Sequence, residues 1–144
     1  MYYNEIRVLI PLKEKERKIV SFEEFDIAFD MDQAKGKRLL ICFWDMDQRP
    51  SRNCITQLAI QVEQLNERGV IVVAVQASKV DENALNEWLK KNKIPFPVGM
   101  VQDDEEQTRF TWGVKSLPWL ILTDRNRIVV SEGFQPGDLA NQLK

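Results

Sequence analysis

The only thiols in this chain are Cys42 and Cys54, and there is no histidine among its 144 residues. That absence excludes a His-ligated metal site and any Ser–His or Cys–His catalytic pair. Cys54 follows Gln48-Arg49-Pro50-Ser51 at the point where a helix should begin, with Arg49 and Arg52 close by. A thiol near a helix N-terminus has a lowered pKa, because free N–H groups and the helix dipole favour the thiolate. One reading therefore makes Cys54 a single-cysteine catalytic thiol, peroxidatic or glutathione-linked. The other places it in the apolar stripe Cys54, Leu58, Val62 and Leu65, as the small buried hydrophobe that free cysteine commonly is. The helical spacing favours the stripe. Cys42, between Ile41 and Phe43, reads as inert core. A Cys42–Cys54 disulfide has to join a strand interior to a helix turn, and is expected to miss the Cα separation of roughly 4.4–6.8 Å that such bonds need.

Asp45 and Asp47 flank Met46 in the same loop. Two carboxylates can serve as acid and base or hold a cation. No further oxygen ligands stand nearby, so they read as solvated loop acids, paired if at all with Arg49 and Arg52, and no metal is expected. The two arginines and the helix end are also suited to an anion such as a phosphate or a carboxylate. The six glycines are scattered singly, with no phosphate-loop or dinucleotide pattern. No cofactor is expected. A formal charge of −2 argues against nucleic acid as a partner. Apolar runs of six or seven residues are too short for membrane insertion, and Met1 to Arg7 lack the features of a signal peptide. A domain belonging to a larger exported polypeptide is equally compatible with these features.

The elements that must position these residues are legible from periodicity. Residues 6–12 suggest an edge strand, and 13–18 a charged turn. Phe22, Phe25 and Phe29 after Ser21 predict a short amphipathic helix. Residues 38–44 form an apolar strand, and the helix from Pro50 runs to Arg68, where Gly69 stops it. Residues 70–75 are a β-branched run of the kind covered on both faces. Asp81 caps a second helix, 98–101 suit a short strand, and 103–112 a helix with acid in its first turn. Residues 119–123 and 128–130 form a hairpin around Asp124-Arg125-Asn126, and a short helix closes the chain. The order β-α-β-α-β-α-β-β-α predicts an α/β domain, a central mixed sheet flanked by helices. It is one domain over 1–144, with an N-terminal β/α extension over 1–35 and a core over 36–144.

Three stretches carry a family likeness: Phe43-Trp44 ending a buried strand with Pro50 beyond it, Gly113-Val114-Lys115-Ser116-Leu117-Pro118-Trp119 before an apolar strand, and Gly133-Phe134 after the hairpin. With the element order, they resemble the TlpA/redoxin branch of the thioredoxin-like superfamily, the thiol-disulfide oxidoreductases. The likeness implies a thioredoxin-like fold and a cis bond before Pro118. It also implies that the two cysteines of the CxxC motif are replaced by Gln48 and Ser51, a degenerate active site where dithiol exchange is unlikely. Thioredoxins carry a buried acid where Cys42 stands here. The peroxiredoxin pattern Pro-x-x-x-Thr/Ser-x-x-Cys is met at Ser51 and Cys54 but not at Asp47. The expectation is a redox-inert binding or accessory module that receives a peptide or protein partner in the groove between the Trp44–Ser51 loop and the Leu117–Pro118 turn, with Arg52 beside it. The alternative is the single-cysteine oxidoreductase or peroxidase at Cys54. By resemblance the compartment is the periplasmic side of the cell envelope.

Overall fold

The computed structural model describes residues 16–144; the strand expected over 6–12 and the first half of the charged turn, 13–15, lie outside them. Five strands form one mixed sheet: β1 (Arg38–Trp44), β2 (Val70–Gln76), β3 (Val98–Met100), β4 (Trp119–Thr123) and β5 (Val129–Glu132). Their spatial order is β3-β2-β1-β4-β5. β1 and β2 pair in parallel, as do β2 and β3, while β4 runs antiparallel to β1 and to β5. Among the described residues, four α-helices accompany the sheet: α1 (Arg49–Glu67), α2 (Glu82–Lys91), α3 (Glu105–Trp112) and α4 (Leu139–Gln142). This is the thioredoxin-like arrangement.

The central strand divides the core by parity. Successive side chains of a strand point to opposite faces, so Leu40, Cys42 and Trp44 join α1, α2 and α4, together with Val72, Ala74, Leu120 and Leu122. Leu39, Ile41 and Phe43 face the other way, against Phe22, Phe25, Trp112 and Ile121. All of these β1 side chains are fully buried. Each large one contributes about 1.5–3 kcal/mol of hydrophobic transfer free energy. Pro50 sits in the first turn of α1, where its missing N–H costs no helix bond. The stripe reading of α1 holds in the structure, since Cys54, Ile55, Leu58 and Leu65 are buried and Ala59 and Val62 half-buried against the same cluster. Among the described residues no helix is long and apolar enough to cross a membrane.

The segment before β1 departs from expectation. In place of a helix over 22–29 there is one 3-10 turn, Glu23–Phe25, and a second, Met31–Ala34, follows before β1. Asp26 adopts a left-handed conformation (φ 49°) that ends the first turn, although the Ser21 hydroxyl still accepts the Glu23 N–H at 3.0 Å, as a cap would. The reason is proximity to the sheet edge. A Cβ placed on Gly99 of β3 would lie 2.9 Å from the Phe25 carbonyl oxygen. The backbone here approaches nearer than side chains on a regular helix allow. The aromatic spacing is still used: Phe25 meets Phe43 edge-on at 5.9 Å and Trp112 at 5.4 Å, and Phe22 stacks on Trp112 at 6.1 Å. The segment thus covers the sheet face that lacks α1 and α2.

Replacing Gly99 with alanine should therefore lift this segment from the edge. We expect a loss of about 1–3 kcal/mol in urea unfolding, together with faster amide exchange at Phe25 and Asp26. Unchanged exchange there would show that the close approach is dispensable.

Candidate functional site

The loop between β1 and α1 and the turn before β4 lie at the same end of the sheet. The antiparallel register pairs Phe43 with Trp119, so the residue before Trp119 meets the chain where β1 gives way to the loop. The peptide bond between Leu117 and Pro118 is cis, and both residues are half-buried. Trp119 donates its indole N–H to Glu132 at 3.3 Å, and its ring lies over Gly133. A Cβ on Gly133 would stand 2.7 Å from that ring, and its φ of 75° suits glycine. The Gly133-Phe134 pair singled out in the sequence owes its glycine to this contact.

The loop is held by a buried carboxylate. Asp45 is only 8% exposed, and the expectation of a solvated acid paired with arginine is corrected here. Its Oδ1 accepts from the Asp47 N–H at 3.0 Å and from Gln76 Nε2 at 3.2 Å. Its Oδ2 accepts from the Ser78 hydroxyl at 3.2 Å and from Gln48 Nε2 at 3.4 Å. Gln76, fully buried at the end of β2, returns its carbonyl oxygen to the Met46 N–H at 2.9 Å. Arg52 reaches the Met46 carbonyl at 2.9 Å rather than either aspartate. Sequence reasoning missed Gln76 and Ser78. The available signal was an amide closing a run of β-branched residues that must be buried on both faces, where a polar side chain needs a partner. Asp47 is exposed.

The first turn of α1 presents Gln48 at its N-cap, with Arg49 and Pro50, all exposed. Gln48 makes no side-chain cap to the helix, and its amide points instead to Asp45. Ser51 is fully buried, and its hydroxyl has no hydrogen-bond partner among the described residues. Trp44, expected beside the Leu117–Pro118 turn, is not a groove residue. It is fully buried on the helix-covered face, 5.2 Å from the Trp88 ring, whereas Leu117 packs with the opposite cluster. Strand parity separates them: Trp44 shares a face with Leu40 and Cys42, whatever its nearness to the turn in the register.

The two cysteines meet. Cys42 Sγ and Cys54 Sγ are 3.7 Å apart, both thiols are buried and neither is in a disulfide. Strand and helix do not hold the two sulfurs apart, and simple distances say why. Cys42 lies two residues before the end of β1, and Cys54 five residues into α1. At about 3.3 Å per strand residue and about 1.5 Å per helix residue, both sit about 7 Å from the loop. Both also belong to the same core face. The hydrogen bond with Cys54, burial, and the charge of Cys54 together push the Cys42 thiol well above its ordinary range.

A model of the AhpC/TSA family matches residues 16–132. The chain belongs to that family. No curated protein matches its sequence. Among solved structures, a thiol-disulfide isomerase from Corynebacterium glutamicum is 20% identical with a TM-score of 0.70, covering 81% of this chain and 84% of its own. The thioredoxin domain of a thiol-disulfide oxidoreductase from Bacteroides vulgatus is 20% identical with a TM-score of 0.68, covering 78% and 81%. A putative thiol:disulfide interchange protein DsbE from Chlorobium tepidum is 26% identical with a TM-score of 0.64, covering 78% and 81%. This member of the AhpC/TSA family thus has the fold of thiol-disulfide oxidoreductases, with its own thiols inside the core.

Two outcomes follow. Asp45→Ala leaves the buried Gln76 amide short of an acceptor and should cost about 1–3 kcal/mol. Asp45→Ala combined with Gln76→Ala should cost less than the sum of the two single changes in a double-mutant cycle of urea unfolding. For Cys42, the unfolded thiol ionises in its ordinary range while the folded one stays protonated. Its contribution is full below that range and is lost as pH rises toward the folded value. Reduced wild type should therefore lose stability more steeply than Cys42→Ala above about pH 8.5; parallel urea midpoints across that range would contradict it.

Proposed function

We propose that this chain is a thioredoxin-like module that does not exchange disulfides at its loop, and that it binds an extended peptide or protein segment at the end of the sheet formed by that loop and the Leu117–Pro118 turn. The observation that carries the reading is the chemistry of the first turn of α1. Gln48 and Ser51, taken as the positions of the family's reactive pair, offer an amide and a hydroxyl, and neither can form a mixed disulfide. The exposed groups there are Gln48, Arg49 and Pro50. An extended segment would run against the backbone before Pro118, with Arg49 and half-buried Arg52 favouring a carboxylate or another anion nearby. Likeness to the TlpA branch supports a location in the cell envelope for such a module, alone or within a larger polypeptide.

A peroxidase or glutathione-linked reading of Cys54 is weakened by its burial, at 2% exposure, beneath the first turns of α1. A catalytic thiol has to meet its substrate, and a thiol in apolar surroundings is inert.

The test is to install the pair. Wild type should show no insulin-reductase activity above the dithiothreitol background. Gln48→Cys with Ser51→Cys should raise the rate at least tenfold if the frame around the loop still supports exchange. Activity in the wild type that disappears in Cys54→Ser would overturn the proposal in favour of a one-cysteine enzyme. For binding, a set of extended peptides titrated into labelled protein should shift the amide signals of Gln48, Arg49, Leu117 and Trp119. Shifts confined to other parts of the surface would refute the assigned groove.

A further inference from the structure

We propose that Cys42 and Cys54 are a disulfide-forming pair that staples the central strand to the first turns of the following helix. Their sulfurs stand 3.7 Å apart with no other side chain between them in the hydrogen-bonded contact. A bond of about 2.05 Å requires them to close by less than the width of one atom. Both side chains leave rigid elements at matching heights and face each other across one core layer, so the meeting is set by the backbone and not by a mobile loop. Twelve positions separate the two residues, a closed loop short enough to form readily and long enough to restrict the unfolded chain. The staple would fix the base of the 45–48 loop covalently, where Asp45 and Gln76 already fix it by hydrogen bonds.

The step balances with a low-molecular-weight disulfide as oxidant. While the core is open, the thiolate of one cysteine attacks a sulfur of that disulfide, whose S–S bond breaks and releases one thiolate. The second cysteine, having given its proton to solvent, then attacks the protein-bound sulfur and releases the second. One S–S bond is lost and one gained; two protein thiols are oxidised as the small disulfide is reduced to two thiols, which take up the two protons. In the closed core, burial keeps reagents away from both sulfurs, so formation belongs to folding, and the finished bond is protected from reduction. The inference is independent of the loop reading, since Gln48 and Ser51 take no part in it.

The experiment is to refold the full chain from denaturant in buffers of oxidised and reduced glutathione, quench with acid and map the peptides by mass spectrometry. The expected product is a single intramolecular Cys42–Cys54 link, predominant over glutathione adducts. The linked protein should melt on the order of 5–10 °C above the reduced one. Cys42→Ser and Cys54→Ser, each with one thiol left, should show no such rise. A chain that stays reduced, ends as a single-site glutathione adduct or as a cross-linked dimer, or melts lower when linked would overturn the proposal. A rise in melting temperature in either single variant would do the same, because it would locate the effect elsewhere.

Discussion

Strand β1 has no side turned to water. Six of its seven residues are fully buried, and that constraint organises much of the molecule. A strand covered on both faces has to supply apolar side chains at every position, so it cannot carry chemistry along its length. It can do so only where it ends. The parity of its residues assigns Trp44 and Cys42 to the helix-packed layer and Phe43 to the aromatic layer with Phe25 and Trp112. Its last residue determines where the loop departs, and the register of β4 against it determines where the Leu117–Pro118 turn arrives.

The loop that leaves β1 is anchored by a nearly buried carboxylate. Asp45 accepts four hydrogen bonds, from Asp47, Gln76, Ser78 and Gln48. A carboxylate so nearly buried is stable only because each oxygen is satisfied by donors of fixed position. Gln76 is the counterpart, a fully buried amide that gives one hydrogen bond to Asp45 and takes one from the Met46 N–H. The pair links the loop to β2, and Arg52 links it to α1. The first turn of α1 is therefore presented in one orientation, which preorganises whatever meets Gln48, Arg49 and Pro50.

Membership of the AhpC/TSA family and likeness to thiol-disulfide oxidoreductases establish the fold and leave the chemistry to the side chains. Here sulfur is placed one layer inward. The exposed helix end carries the Gln48 amide and the Arg49 cation, with Arg52 half-buried beside them, while the thiols face each other in the core. A fold shared with thiol-disulfide oxidoreductases is thus combined with thiols that are buried in the core.

Much of this was legible in the sequence, because local physics suffices for it. The period of 3.6 in Cys54, Leu58 and Leu65, the unbroken β-branched run of β2 and the cap at Asp81 each act over a few residues, so they specified most of the elements, their order and hence the fold. The Phe22–Phe29 helix failed for the opposite reason: its backbone yields to Gly99, a residue more than seventy positions away whose proximity no local pattern announces. The burial of Asp45 likewise depends on Gln76 and Ser78, brought by a different strand, and the placement of Trp44 away from Leu117 on the parity of β1. The cysteine contact is the instructive case. The rise per residue in strand and helix would have matched their heights in advance, but only the packing of α1 on β1 brings the two sulfurs face to face. The sequence by itself determined which segments from β1 onward become strands and helices; the tertiary structure alone decided the form of the segment before β1 and which polar groups and thiols meet, because these follow from the docking of distant elements on one sheet.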